Sequence, residues 1–386
     1  MIISNADRLL STEEYYFSVK LKEIARLRKK GHQIINLGIG SPDLPPEQSV
    51  IGTLQASSEN SSAHGYQGYQ GITDLRQAIA SYSKKHLGFA PEPDSEVLPL
   101  MGSKEGIMHC SLAFINPGDT VMIPDPGYPT YASVSTLVQA DIQTYSLSAA
   151  NNWNIDISQL KKAPLDKVKV FWLNYPHMPT GVQADSEIIS ELIVLAKKHR
   201  FLIINDNPYN QLWSPPAFSI FQLPGSEEVA LELNSMSKSH NMAGWRLGWI
   251  SGHKDYISAI LKVKSNMDSG MFLPIQKAAI TALQLEDDFY EKQRAIYSER
   301  RQIAQAIFDK LNCTYTSQEG MFTWAEIPPD AKGAEDFADS ILQEFDIFIT
   351  PGSIFGKNGS RFLRISLCSP GELLTEALNR IKYTHS

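Results

Sequence analysis

Cysteine is scarce in this chain, with three in 386 residues, at positions 110, 313 and 368. So small, odd and scattered a set excludes a disulfide framework and a clustered zinc site, and it suits a reducing compartment. Long apolar runs are missing too. No stretch approaches the ~20 residues that cross a bilayer, and the N-terminus lacks the apolar core of a signal peptide. The expectation is a cytoplasmic protein with no membrane partner. Nor is there a sustained basic surplus: 35 Lys and Arg stand against 42 Asp and Glu, for a net charge of −7 and a pI near 5.8. That balance argues against a nucleic-acid partner. The short clusters Arg28-Lys29-Lys30 and Lys197-Lys198-His199-Arg200 close predicted helices, where cations suit the helix dipole. No repeat, low-complexity tract or disordered linker is visible. What remains, 42% hydrophobic and 20% charged, is the composition of a globular protein long enough for more than one domain.

The densest chemistry lies at residues 235–249, Ser-Met-Ser-Lys-Ser-His-Asn-Met-Ala-Gly-Trp-Arg-Leu-Gly-Trp. An apolar run, Val229 to Leu233, ends in hydroxyls, and Lys238 follows at once. A lysine set among small polar residues at the end of a buried strand is poorly hydrated, so its amine is pushed toward the neutral form. A neutral amine attacks aldehydes and forms a Schiff base. Ser235, Ser237 and Arg246 suit a phosphate: two short hydroxyl donors and one fork-shaped cation. An aldehyde and a phosphate on one cofactor mean pyridoxal phosphate. For a lone Ser-x-Ser-Lys, a solvated lysine in a turn is the better reading. Gly-Trp-Arg at this spacing favours the functional one.

Elsewhere the pattern sets a frame for these residues. Ser11-Thr12-Glu13-Glu14 resembles a capping box, with Phe17, Leu21, Ile24 and Leu27 following at helical spacing until Gly31. Tyr15, Tyr16 and Phe17 read as packing residues. A short strand, Ile34 to Leu37, precedes the glycine loop Gly38-Ile39-Gly40-Ser41-Pro42-Asp43, whose backbone can approach a ligand closely. From Val97 onward, strand, loop and helix repeat: Val97 to Met101, Thr120 to Ile123, Val168 to Leu173 and Phe201 to Ile204 are the strands. That alternation predicts an α/β fold, a mostly parallel sheet with helices on both faces. Ser103, Tyr128, Asn174, Asp206 and Ser235 each follow a separate apolar strand. Ligands of open α/β sheets bind beyond the carboxyl ends of the strands, so five such residues predict one converging site. A long amphipathic segment from Glu286 to Leu311 then leads into an α+β tail. Its expected strands are Met321 to Ile327, Ile347 to Thr350 and Arg361 to Leu367, with a helix over Ala334 to Phe345. The expected division is a large α/β domain over 41–285 and a small α+β domain from 1–40 plus 286–386.

Together these stretches resemble the class I/II aminotransferases of the pyridoxal-phosphate fold-type I superfamily. The resemblance runs from Gly38-Ile39-Gly40-Ser41-Pro42-Asp43 to Arg361-Phe362-Leu363-Arg364-Ile365-Ser366. Its most specific part is Ser-x-Ser-Lys-x-x-Asn-Met-Ala-Gly-Trp-Arg. It implies transfer of an amino group between an L-amino acid and a 2-oxo acid, with pyridoxal phosphate as cofactor. By that resemblance Lys238 is the Schiff-base lysine and the acid/base, and Asp206 pairs with the pyridine nitrogen. Tyr209 bonds the ring oxygen, Tyr128 stacks on the ring, and Asn174 joins the cofactor-binding set. The hydroxyl of Ser103 and the amides of Ser103 and Lys104 take the phosphate with Ser235, Ser237 and Arg246. Tyr66 matches a tyrosine that reaches the phosphate of the neighbouring subunit, which implies a homodimer with shared active sites. Arg364 matches the arginine that grips the substrate α-carboxylate, and Gly40 supplies backbone beside it.

One position departs from the family pattern. The usual Asn-x-Pro-x-Asn-Pro-Thr-Gly reads Asn174-Tyr175-Pro176-His177-Met178-Pro179-Thr180-Gly181, so Met178 stands where an asparagine bonds cofactor oxygen and substrate carboxylate. No second arginine between Lys262 and Phe272 offers itself to a distal carboxylate, and the run Lys264 to Gly270 is similar to the diaminopimelate and broad-specificity branches. Two other readings use the same scaffold. A pyridoxal-phosphate lyase, such as a C–S lyase, or a decarboxylating synthase diverts the same carbanion. A non-catalytic effector-binding module ranks last, because the enzyme-like region begins almost at residue 1.

Overall fold

The computed structural model describes residues 3–9, 16–316 and 319–381. At its centre is a seven-stranded sheet in the spatial order Val97–Leu100, Gly248–Gly252, Ala230–Ser235, Leu202–Asp206, Val168–Leu173, Thr120–Asp125, Asp141–Ser146. Neighbours are parallel except for the two pairs made by Gly248–Gly252. The middle strands are buried on both faces. Phe171, Leu173 and Ile203 enter one core, while Val170, Trp172, Leu202 and Ile204 enter another. Alternate side chains of a strand point to opposite faces. A strand covered by helices on both sides therefore reads as an unbroken apolar run.

Two strands of the sheet were not expected. Asp141–Ser146 is an edge strand in which only Tyr145 is buried, so its composition, Asp-Ile-Gln-Thr-Tyr-Ser, carries no apolar run. Gly248–Gly252 begins and ends in glycine, which reads as loop. It is nonetheless wholly buried, between Val97–Leu100 and Ala230–Ser235. A third core gathers Trp249 of this strand with Leu75, Ile79 and Tyr82 of helix Thr73–Tyr82 and with Ala278, Ala279 and Ala282 of helix Leu273–Leu283.

The predicted amphipathic segment is a 24-residue helix, Asp287–Lys310. Beyond it an antiparallel four-stranded sheet runs in the order Thr350–Pro351, Phe362–Ser366, Phe322–Glu326, Thr314–Tyr315. The expected single strand over 347–350 splits in two, because Ile347–Phe348 pairs instead, in parallel, with Ile35–Asn36 near the N-terminus. The first long helix spans Tyr16–Lys29; the expected capping box, Ser11 to Glu14, lies outside the described residues, as does Tyr15. Among the described residues no helix is long and apolar enough to cross a membrane.

Candidate active site

The carboxyl ends of the central strands open into a cavity of about 750 Å³. Thirteen of the fourteen residues expected at the site line it: Gly40, Ser103, Lys104, Tyr128, Asn174, Met178, Asp206, Tyr209, Ser235, Ser237, Lys238, Arg246 and Arg364. Most follow the ends of five strands of the central sheet, with Ser235, Ser237 and Lys238 sharing one end, while Gly40 comes from the glycine loop and Arg364 from a strand of the smaller sheet. Tyr66 is the exception. It stands 93% exposed and is not among the lining residues of this single chain.

Asp206 closes the floor at the end of its strand and is buried. Its Oδ2 accepts a hydrogen bond from the Tyr131 hydroxyl at 2.9 Å. Its Oδ1 is buried with no hydrogen-bond partner among the described residues. Burial pushes this carboxyl up to about 7, against the opposing pull of the Tyr131 hydroxyl and of the Ser103 hydroxyl, which is near it without making a hydrogen bond to Oδ1. A buried acceptor left open costs on the order of 1–3 kcal/mol, so this oxygen is built for a donor from outside the chain. Asn174 braces the same floor: its Nδ2 donates to the Asp206 carbonyl at 2.6 Å, and its Oδ1 accepts from Met178 N at 2.9 Å. Tyr131 in turn is held by stacking on Trp172, centroids 5.1 Å apart.

Lys238 sits in the short helix Met236–Ser239, whose N-cap Ser235 accepts from Ser237 N. Its ammonium donates to the Gly40 carbonyl. Burial pushes the amine below the ordinary lysine value, and the guanidiniums of Arg364 and Arg246 add to the lowering, while Cys368 opposes it. Gly40 must be glycine here, because a Cβ would lie 2.7 Å from the Phe322 ring. The loop it belongs to is tied down two ways. Asp43 takes both guanidinium nitrogens of buried Arg300 at 2.6 and 2.8 Å, and Arg300 Nη1 also donates to the Leu367 carbonyl.

At the other side of Lys238, Gly102 opens helix Ser103–Phe114 without a side-chain cap. The helix start therefore offers free backbone N–H groups. Arg246 Nη1 reaches Ser237 Oγ at 3.4 Å and the Ala243 carbonyl at 2.7 Å. A Cβ at Gly102, which has a φ of 89°, would collide with the Arg246 guanidinium. Hydroxyls, a helix start and an arginine fork thus meet at one end of the cavity, a donor set that fits a phosphate.

Arg364, only 4% exposed, occupies the far wall on strand Phe362–Ser366. Its Nη2 donates to the Gly38 carbonyl at 2.7 Å, and Nη1 approaches the Met178 sulfur at 3.3 Å. The guanidinium carbon lies 4.2, 4.7 and 5.7 Å from the ring centres of Phe322, Phe355 and Phe17.

Comparison with known proteins gives the family. Residues 32–381 match the family model of aminotransferase class I and II. The chain belongs to that family. It is 36% identical over 382 residues to an LL-diaminopimelate aminotransferase of Aquifex aeolicus, covering 98% of each protein. A substrate-bound structure of BacF from a Bacillus superposes with a TM-score of 0.94 at 33% identity, covering 98% of this chain and 97% of that one. A Thermus thermophilus aspartate aminotransferase variant shares the fold at 23% identity, with a TM-score of 0.91 and 98% of each chain covered. The aminotransferase reading of the sequence and its mixed, mostly parallel sheet are borne out.

For this aminotransferase the sequence reading missed part of the wall. Helical spacing marks Phe17 as a packing residue, yet it lines the cavity beside Arg364; periodicity registers a face but not which of its residues meets a site. Tyr131 also went unnoticed, although it lies three residues past Tyr128 at the opening of helix Pro129–Leu137, one helical turn away. Phe322 and Phe355 had no local signal at all.

Proposed function

We propose that this enzyme binds pyridoxal phosphate in the cavity and uses it to move an amino group between an L-amino acid and a 2-oxo acid. The carrying observation is the open, buried Oδ1 of Asp206 in the same cavity as the depressed Lys238 amine and the Arg364 guanidinium. When bound, the cofactor supplies a protonated ring that accepts the electron pair released at the substrate α-carbon. Asp206 would accept the ring N–H through Oδ1, and a cation there would bring its carboxyl back to the ionised form. Tyr128 would pack on the ring, and Tyr209 would donate to its oxygen. Ser103, Ser235, Ser237, Arg246 and the first amides of helix Ser103–Phe114, Lys104 among them, hold the phosphate. Lys238 would hold the aldehyde end of that group through its amine. The free amine would take the proton from the substrate α-carbon and hold it for return, a role its lowered pKa suits. Arg364, with the backbone at Gly40, fixes the α-carboxylate, which orients that C–H bond.

We further read the exposed Tyr66, with Tyr69, Met267 and Phe272 also exposed, as a face for a second copy that completes each phosphate site. The division at 41–285 against 1–40 plus 286–386 is our reading of the domains. Three free, buried thiols suit the cytoplasm.

Borohydride reduction of the cofactor-loaded enzyme tests the site: the pyridoxyl label is expected on Lys238, and a labelled peptide bearing any other lysine overturns the assignment. A panel of amino acids with a 2-oxo acceptor tests the reaction. Keto acid formed in proportion to aminated acceptor supports transfer; ammonia with pyruvate makes the enzyme a C–S lyase instead.

A further inference from the structure

Away from the cofactor residues the cavity wall is mostly hydrocarbon, with Ser18 and Lys22 of the first helix as its polar members. Phe17 and Leu21 come from the first helix and Ile39 from the glycine loop, while Met178, Phe322 and Phe355 complete it. Four of these six surround Arg364: three rings pack about its guanidinium carbon and the Met178 sulfur contacts Nη1. An amino acid docked on Arg364 by its α-carboxylate projects the rest of itself among these groups. Charged partners that this chain itself offers a distal group are few. Among the described residues lining the cavity the sole carboxylate is Asp206, on the floor. Apart from the residues given to cofactor and α-carboxylate, the sole charged side chain is Lys22, a cation.

LL-diaminopimelate, the substrate named for the curated relatives, carries an ammonium as well as a carboxylate at its far end. In this wall that ammonium meets no described acid, and it would exchange hydration for phenylalanine and leucine, which is unfavourable. Met178 strengthens the bias. An asparagine there would present amide donors and an acceptor, whereas methionine gives its sulfur to Arg364 and adds adaptable hydrocarbon to the wall.

We infer that the amino acid taken by this enzyme has a large, uncharged apolar side chain, and that Met178 is a specificity-determining residue for it. The inference rests on the aminotransferase reading above and narrows it. A side chain of that kind gains from burial against Phe17, Leu21, Ile39 and Phe355 what a charged one loses there.

Two measurements on the cofactor-loaded enzyme test this. Calorimetry compares hexanoate with 6-aminohexanoate, which share a carboxylate and differ in a distal ammonium. Hexanoate is expected to bind at least about tenfold tighter. Single-turnover kinetics compare L-phenylalanine and L-leucine with LL-diaminopimelate, and the apolar pair is expected to lead in kcat/KM by about tenfold or more. Met178→Asn should cut that lead about fivefold, and Met178→Leu should keep it; a merely structural methionine would leave the ratio unmoved in both. Equal or tighter binding of 6-aminohexanoate, or turnover of LL-diaminopimelate equal to that of the apolar pair, overturns the inference while leaving aminotransfer standing. Failure of every amino acid to react, with Lys238 correctly loaded, overturns both.

Discussion

Replacing Asp206 by asparagine should stabilise the cofactor-free enzyme at alkaline pH while spoiling the site. The folded carboxyl titrates at about 7 against an ordinary 3.8, chiefly through burial. Between those values the native chain holds a proton that the unfolded chain has released. The native state then binds more protons, so stability falls as pH rises through the window from about 4 to 7. A rise from 3.8 to about 7 corresponds to roughly 4 kcal/mol lost by pH 8. That is a large share of the ~5–15 kcal/mol that holds a typical domain. Asparagine does not titrate. Tyr131 can still donate to its amide oxygen, but the amide N–H groups lack an acceptor, which costs about 1–3 kcal/mol.

The expected net effect for cofactor-free Asp206→Asn is therefore a gain of about 1–3 kcal/mol at pH 8 and a loss of about 1–3 kcal/mol at pH 4. Urea denaturation of both proteins at several pH values reads it directly, because every other titrating group cancels in the difference. With cofactor the order should reverse at pH 8, since the ring N–H stabilises the ionised Asp206 and has no equivalent purchase on an amide. A stability difference between the two cofactor-free proteins that does not change from pH 4 to pH 8 would refute the reading of Asp206 as a carboxyl held open by burial.

Further expectations concern the parts that hold the site in place. Asp43→Ala should cost about 3–5 kcal/mol, because it strands the buried Arg300 charge; pairing it with Arg300→Met should recover much of the loss in denaturant melts. Gly40→Ala places a Cβ 2.7 Å from Phe322 and should cost about 1–3 kcal/mol of stability by overpacking, with weakened binding of simple carboxylates as its second sign. Tyr66→Phe should loosen cofactor retention by about 1.5–3 kcal/mol if the hydroxyl reaches a partner's phosphate. Mixed with Lys238→Ala subunits, it should regain one native site per heterodimer, and an active monomer at assay concentration would end that idea.

What could be read from the sequence was whatever is written contiguously. Ser235 to Arg246 holds the lysine, two hydroxyls and the arginine within twelve positions, so spacing alone exposed their chemistry. Asp206 and Asn174 were legible because apolar runs mark buried parallel strands, and the polar residue after each run falls at the ligand-binding edge of the sheet. Asp141–Ser146 and Gly248–Gly252 escaped for opposite reasons: one is an edge strand with little to bury, the other is wholly buried but framed by glycines. The aromatic wall was out of reach. Met178 and Arg364 touch across 186 positions, and Phe17, Phe322 and Phe355 meet only because the first helix and the C-terminal sheet both pack around that arginine.

Asp206 and Lys238 share a circumstance that explains why so costly a cavity persists. Burial raises the acid and lowers the amine, so the same dry environment discourages opposite charges on two groups of one site. Neither group can relieve the other, because each already answers to different neighbours: Tyr131 for the carboxylate, the Gly40 carbonyl for the amine. A single ligand with a cationic N–H at one end of a ring and an aldehyde at another satisfies both at once, returning Asp206 to its ionised form and consuming the neutral form of Lys238. Cofactor binding and folding are then coupled: with a ligand at 100 times its dissociation constant the gain is about 2.7 kcal/mol. That gain is comparable to the strain the open carboxyl imposes at neutral pH. On the proposed reading, the destabilised floor and the affinity for the cofactor are two consequences of the same buried oxygen.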